Sequence, residues 1–450
     1  MSPKHLVRLN SALLLLYYTS WYYNVNVANF KSACRAFSFQ NHFLRTQPLR
    51  RPHQHKRTSC INHNRSTLHC QADSICDSDR VSNNKNSYSK RVAVLLPKRS
   101  SEPIDDGETN NNWQNEAIKH LQQIAAKSKL SVVSLNEQSN KIITSYSHIL
   151  MAVPCERTST YAIALHANPQ LPKKKSREKK QTKLKLDPFF VDLCPSSDTR
   201  LGYRMQLTSN KGGGELLLKA LGMKKMLSGD KQQLVIYDLT AGLARDTMIM
   251  LSSIISDVEG SRMQRLRLHM MERDPIVASL LKDAMRRLNI LAQNENNTEG
   301  GIIAKHLEKC LSMEEGDALS VLEKMATSSQ PTESVPYPPD ILYLDPMFPP
   351  RKKKASAVKK DMAMLHSLLG TATTIEDKGE KDDAEKVRLE EEQKLLGAAY
   401  NAASRRVVVK RPLNALPLAV FEEGDDDDVP LPSYDIRGNI NRWDIYITSS

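Results

Sequence analysis

Short apolar runs, several ending in an acid, alternate along this chain with longer stretches whose apolar positions recur every three or four residues. The short runs predict buried strands and the longer ones amphipathic helices. Arg91-Val-Ala-Val-Leu-Leu-Pro97 reads as a first strand, Asn112 to Lys127 as a helix, and Ser147-His-Ile-Leu-Met-Ala-Val153 as another strand. From Leu234 the alternation becomes regular. Leu234-Val-Ile-Tyr-Asp238, Arg265-Leu-Arg-Leu-His-Met-Met271, Ile341-Leu-Tyr-Leu-Asp345, Val407-Val-Val-Lys410 and Trp443-Asp-Ile-Tyr-Ile-Thr448 read as strands. Arg245 to Ile255, Pro275 to Leu288 and Lys386 to Ser404 read as helices, with Pro275 suited to a first turn. Strands alternating with helices predict a mostly parallel, doubly wound α/β sheet. The earlier elements form a small α/β subdomain before it. Two charged, low-complexity stretches, Glu376 to Lys386 and Glu422 to Asp428, read as solvated surface loops.

Charge changes the picture at the N-terminus. The 450 residues carry a formal net charge of +13, yet ten basic residues between Lys4 and Arg65 precede the first acid, Asp73. The excess is therefore mainly a property of the leader, and the body is close to neutral. A short apolar stretch, Ser11-Ala-Leu-Leu-Leu-Leu-Tyr-Tyr18, follows Lys4 and Arg8, and an Arg-, Ser- and Asn-rich, acid-free stretch comes next. That order fits a bipartite plastid-targeting leader, with a mitochondrial presequence as the alternative. The apolar stretch is too short for a membrane span, and no stable membrane association is expected. Of seven cysteines, four (Cys34, Cys60, Cys70, Cys76) lie in or beside the leader, and no CxxC pair occurs, so no metal is expected. The lysine-rich run from Lys173 to Lys185 is either a phosphate-contacting arm or a solvated loop. The division expected is a leader and linker over 1–88, a small subdomain with a lysine-rich linker over 89–186, and the main domain over 187–450. The charged insertions fall near 374–392 and 421–430.

In open α/β sheets, ligands lie beyond the carboxyl ends of the strands, where Asp238, Glu272 and Asp345 all fall. Asp238-Leu-Thr-Ala-Gly-Leu-Ala-Arg-Asp246 is a strand, a tight turn and a helix start, with Gly242 permitting close approach. It is neither GxGxxG nor a phosphate loop. A single glycine among acids suits a ligand without phosphates, such as S-adenosylmethionine. Glu272 can accept from vicinal ribose hydroxyls. Asp345-Pro-Met-Phe-Pro349 is similar to the [Asn/Asp]-Pro-Pro-[Tyr/Phe] motif of methyltransferases that act on exocyclic amino groups. The lone pair of such an amino group is delocalised into the base. An acceptor on the N–H makes the nitrogen more pyramidal and nucleophilic. Asp345 and the Pro346 carbonyl can be those acceptors, and Phe348 can stack on an extruded base. Arg351, Lys352, Lys353, Lys359 and Lys360 follow, where RNA phosphates would lie, and Lys410 and Arg411 can extend that surface.

The chain resembles the RsmJ family of bacterial methyltransferases that modify guanine N2 of 16S ribosomal RNA. The matching pieces are Asp187-Pro-Phe-Phe-Val-Asp192, Lys211-Gly-Gly-Gly-Glu215, Asp238 to Asp246, Met271-Glu-Arg-Asp-Pro275, Tyr343-Leu-Asp-Pro-Met-Phe-Pro349, Ser356-Ala-Val-Lys-Lys-Asp-Met362, Arg406-Val-Val-Val-Lys-Arg-Pro412 and Arg442-Trp-Asp-Ile-Tyr446. The resemblance runs from Asp187 to the C-terminus and includes Met347. It implies a Rossmann-like class I fold and cofactor contacts at Arg245, Asp246, Glu272, Arg273, Asp317, Ala318 and Asp345. Its substrate would be small-subunit ribosomal RNA or the ribosomal subunit. Ala244 stands where the family has a second glycine, Leu239 where it has a small residue, and Arg204 to Asn210 departs from a basic family segment. Methylation of adenine N6, or an RNA-binding assembly factor without catalysis, are the rival readings.

Overall fold

The computed structural model describes residues 91–97, 112–134, 145–167, 188–195, 199, 201–205, 215–228, 233–255, 265–294, 299–327, 338–346, 360–369, 378–418 and 431–448. The chain divides into two units, Met1–Asp79 and Arg80–Ser450, and every described residue belongs to the second. The leader, the lysine-rich run, the glycine triplet and the insertion near 421–430 lie outside the described residues.

Two sheets organise the second unit. In the smaller, β1 (Val92–Leu96) pairs in parallel with β2 (Ser131–Ser134) and β3 (His148–Cys155), and β3 pairs antiparallel with β4 (Thr160–Ala167). Helix α1 (Asn112–Ser128) makes the β1-to-β2 crossover and buries Ala117, Leu121 and Ala125. Phe189, expected in the main domain, exchanges two backbone hydrogen bonds with Leu165 of β4. The segment after the lysine-rich run is thus tied to the small sheet.

In the larger sheet, β5 (Leu234–Asp238), β6 (Leu266–Glu272), β7 (Leu311–Glu315), β8 (Ile341–Leu344) and β9 (Arg406–Pro412) are parallel. β11 (Asn441–Ile447) joins β9 antiparallel, and β10 (Tyr434–Arg437) closes the edge in a hairpin with β11. The order is β10-β11-β9-β8-β5-β6-β7. The chain winds outward from β5 through β6 to β7, returns to the other side of β5 at β8, and winds the opposite way. The crevice between β5 and β8 is the topological switch point.

Helices cover both faces, so the strands bury alternate residues in different cores. On one side, Leu234, Ile236, Tyr343 and Val408 meet α4 (Arg245–Ile255) and α5 (Pro275–Gln293). They share this core with α2 (Leu216–Leu221), α3 (Met223–Ser228), α6 (Glu299–Cys310) and α8 (Lys360–Leu368). On the other side, Val235, Tyr237, Leu342, Val407 and Val409 meet α7 (Ala318–Thr327) and α9 (Lys378–Ala402). α9 corrects the sequence expectation: residues 378–385, read as loop, begin this helix. Lys, Glu and Ala are strong helix formers, so the composition that suggested a loop serves equally for a helix.

Asp283 of α5 couples the two sheets. Fully buried, its carboxylate accepts from Ile163 N of β4 at 2.9 Å and pairs with Arg287 Nε at 2.9 Å and Arg286 at 2.8 Å. Arg286 also donates to the Tyr161 carbonyl and lies 4.0 Å over the Tyr161 ring. Arg287 donates to the carbonyl of Val191. Glu315, at the end of β7, accepts from Lys127 of α1 and Lys282 of α5, each at 2.6 Å.

Candidate active site

At the carboxyl end of β5 the chain turns through Leu239 to Ala244 before α4 begins. Leu239 N donates to the Tyr343 carbonyl at 2.9 Å and Ala241 N to the Met271 carbonyl at 3.0 Å, so the turn is held by both flanking strands. Gly242 and Ala244 both take left-handed backbone, with φ of 53° and 54°. A Cβ placed on Gly242 would meet nothing nearer than the Thr240 carbonyl at 3.9 Å, so open space lies over the glycine.

Acids from four elements face this turn. Asp238 is 2% exposed and accepts from Thr247 Oγ1 at 2.5 Å and Thr240 N at 3.3 Å. Burial pushes its carboxyl up to about 7, against the Thr247 hydroxyl. Glu272 takes Gly242 N at 2.9 Å on one oxygen and Asp274 N at 2.8 Å on the other, and burial lifts it to about 7 as well. Asp246, in the first turn of α4, accepts from Tyr343 Oη at 2.5 Å and Lys410 Nζ at 2.6 Å. Burial pushes Asp246 upward, but the ammonium and the phenol outweigh it and hold the group below the usual carboxylate range. Asp345 donates its N–H to Thr240 Oγ1 at 2.7 Å and takes Lys410 Nζ on Oδ2 at 2.6 Å. Burial raises Asp345 to about 6 against the pull of Lys410, with Asp246 adding to the rise.

The family model described as "Putative SAM-dependent methyltransferase" matches residues 151–448. Ribosomal RNA small subunit methyltransferase J of Thioalkalivibrio sulfidiphilus is 32% identical over 261 residues, which are 58% of this chain and 76% of that protein. The protein of the same name from Tolumonas auensis is 32% identical over 265 residues, covering 59% and 80%. The chain belongs to the ribosomal RNA small subunit methyltransferase J family. A crystal structure of an S-adenosylmethionine-dependent methyltransferase from Neisseria gonorrhoeae aligns with 79% of this chain and 96% of that one, at 21% identity and a TM-score of 0.40. The family match begins inside β3, so it includes part of the small sheet as well as the region from Asp187 that carries the motifs.

The cofactor of this family is S-adenosylmethionine, and the residues present fit it. The space over Gly242 is a cradle that a side chain would fill. The lining is acidic, which suits a sulfonium cation and an α-ammonium group. Glu272 and Asp238 would hold it by accepting from ribose hydroxyls and the amino-acid tail, and Gly242 would admit close backbone approach.

The structure thus gathers Asp238, Gly242, Asp246, Glu272 and Asp345 at one crevice. Arg245 opens α4 beside them and is half-buried. Pro346 is buried directly after Asp345. Other expected residues take different places. Arg273 is exposed, and its guanidinium lies 3.5 Å from Glu391 of α9. Asp317 accepts from Ser320 N at 3.1 Å and so caps α7, while Ala318 is buried in the core beneath that helix. Gly316 N, beside them, donates to the Glu272 carbonyl at 3.0 Å, so this loop approaches the site by its backbone.

Two residues expected on the RNA surface are corrected. Arg411 is 7% exposed, pairs with Glu392 at 3.1 Å and donates to the Leu416 carbonyl at 3.0 Å. Strand alternation sends it into the interior opposite its neighbour. Lys410 points into the crevice, onto Asp246 and Asp345. Phe348, Arg351, Lys352, Lys353 and Lys359, with Met347, lie outside the described residues, as does the side chain of Lys360 at the start of α8. Sequence reasoning missed Thr240, Thr247 and Tyr343. Tyr343 had a signal: it lies two residues before Asp345 on a strand, hence on the same face.

Proposed function

We propose that this chain methylates the exocyclic N2 of a guanine in small-subunit ribosomal RNA, as naked RNA or in a ribosomal subunit, within an organelle, the plastid in preference to the mitochondrion. The observation that carries the reaction is Asp345. It sits at the mouth of the crevice with its backbone fixed by Thr240 and its side chain about a third exposed. Lys410 Nζ engages Oδ2, and the part-exposed carboxylate can accept an incoming amino N–H on Oδ1.

When bound, S-adenosylmethionine supplies an electrophilic methyl group. The protein's part is positioning and acceptance. Asp345 and the Pro346 carbonyl hold the amino hydrogens, which localises the nitrogen lone pair. Asp345 Oδ1 then takes the proton that the nitrogen sheds and passes it to solvent. N2 lies on the Watson–Crick edge, so the target guanine is unpaired or flipped out. Phe348 offers its stacking face, and Arg351, Lys352, Lys353, Lys359 and Lys360 offer contacts to the RNA phosphates. The acid-free leader and the names of the relatives support the compartment and the substrate.

The test is methylation of small-subunit ribosomal RNA and of the subunit particle by the purified full chain, read by nucleoside mass spectrometry. One new N2-methylguanosine is expected. The Asp345→Ala variant should retain the wild-type circular dichroism spectrum and lose methylation by about 100-fold or more. Full activity in a folded Asp345→Ala chain would overturn the mechanism, and methyl on adenine would overturn the target.

A further inference from the structure

β9 delivers a cation into a crevice otherwise lined by acids. Leu344 of β8 lies opposite Val409, so the next step along the pair sets Asp345 beside Lys410. Lys410 Nζ lies 2.6 Å from Asp345 Oδ2 and 2.6 Å from Asp246 Oδ2. Its side chain is 18% exposed, too enclosed for the phosphate contact its sequence position suggested.

We propose that Lys410 is a positioning residue for methyl transfer: its ammonium ties Oδ2 of Asp345 to Asp246 and leaves Oδ1 ionised and aimed to accept the substrate N–H. This rests on the role given to Asp345 above. Among the described residues, Asp345 faces charged or titratable groups from four elements: Lys410 from β9, Asp246 from α4, Asp238 from β5, and Tyr343 from β8, the strand that Asp345 follows. Asp246 in turn is influenced by Arg204. Burial and the Asp246 charge both favour protonated Asp345, and Lys410 opposes them.

Without the ammonium, two like charges this close do not both stay ionised at neutral pH. A protonated Asp345 would offer an O–H where the reaction needs an acceptor. Lys410 does not compete for the substrate proton. Burial lowers its pKa, but the two carboxylates outweigh that and raise it above the ordinary lysine value, so it stays charged. The proton released by the amino nitrogen therefore goes to Asp345 Oδ1.

The test reads Asp345 directly and needs no substrate. The full chain, labelled with carboxyl-¹³C aspartate, is titrated by NMR without ligand, and the Asp345 signal is assigned by its loss in Asp345→Asn. The wild-type midpoint is expected at about 6. Lys410→Met should raise it by about one pH unit or more, and Asp246→Asn, which removes a like charge, should lower it. Lys410→Arg should restore part of the wild-type value. Lys410→Gln replaces Lys410→Met if that variant does not fold. The acid limb of kcat on small-subunit ribosomal RNA, at saturating S-adenosylmethionine, should move in the same senses, with KM for the cofactor changed less. A midpoint unmoved by loss of Lys410, or moved the same way by both substitutions, overturns the proposal. Opposed shifts in a protein that leaves the RNA unmethylated would uphold Lys410 and overturn the substrate reading instead.

Discussion

Ala244 holds a conformation that L-residues avoid, with φ of 54° at 0% exposure. Its N–H donates to the Ala241 carbonyl at 2.7 Å and its carbonyl accepts from Met248 N at 3.0 Å, so the turn into α4 enforces the geometry. Left-handed backbone costs an L-residue roughly 1–2 kcal/mol, and alanine is the smallest side chain that must meet that cost. This is why a glycine pattern can end in alanine here. Ala244→Val, β-branched and without room, should destabilise the fold by about 2–4 kcal/mol in urea unfolding. A loss under half a kcal/mol would mean that the turn relaxes freely. Asp238 makes a second prediction. Burial holds its carboxyl up to about 7, well above 3.8, so the folded chain binds that proton more tightly than the unfolded chain. Its contribution to stability is full below about pH 4 and is lost as pH rises through 7. Asp238→Asn removes the titration and should gain on the wild type, by a few kcal/mol, from about pH 5 to pH 8. A difference in unfolding free energy that stays flat over that range would refute the shift. Sequence position alone could not grade the acids. Asp340 and Asp345 flank the same strand, yet Asp340 is 0% exposed and accepts from Val235 N at 2.9 Å at the end away from the crevice.

At the scale of elements, the strands and helices with strong periodicity were legible: β1, α1, β3, β5, α4, β6, α5, β8, β9 and β11 fall within a few residues of their sequence patterns. Three missed strands have a common cause. β2, β7 and β10 are four or five residues long and half-exposed, so none carries enough apolar contrast to stand out unaided. β4 lies directly after β3 as its antiparallel partner, a pairing that no local pattern announces. The coupling through Asp283 is likewise tertiary. Its carboxylate satisfies a backbone donor of β4 and two arginines of its own helix. Asp283→Ala should cost about 3–5 kcal/mol in denaturant unfolding, because it strands the buried Arg287 charge and the Ile163 N–H. A cost below 1 kcal/mol would show that the arginines find other partners.

At the scale of the whole molecule, the formal charge of +13 gives no basic body, since ten cations precede the first acid. The crevice itself is acidic, as a cationic cofactor requires. Among the described residues no helix is long and apolar enough to cross a membrane. If the N-terminal 88 residues form an address, fusing them to a fluorescent reporter should deliver it to plastids, seen as overlap with chlorophyll emission. Overlap with a mitochondrial dye would favour the alternative, and a diffuse signal would refute an organellar address.

The α/β alternation, the crevice-facing acids Asp238, Glu272 and Asp345, and the family are legible in the chain's residues alone, because hydrophobic period and motif spacing are local properties. Which charges meet is settled by the folded arrangement. It turned Lys410 inward onto Asp246 and Asp345, buried Arg411 against Glu392, and assigned Asp317 to a helix cap. Side-chain direction depends on strand register and on what the neighbouring element presents, and a list of residues carries neither.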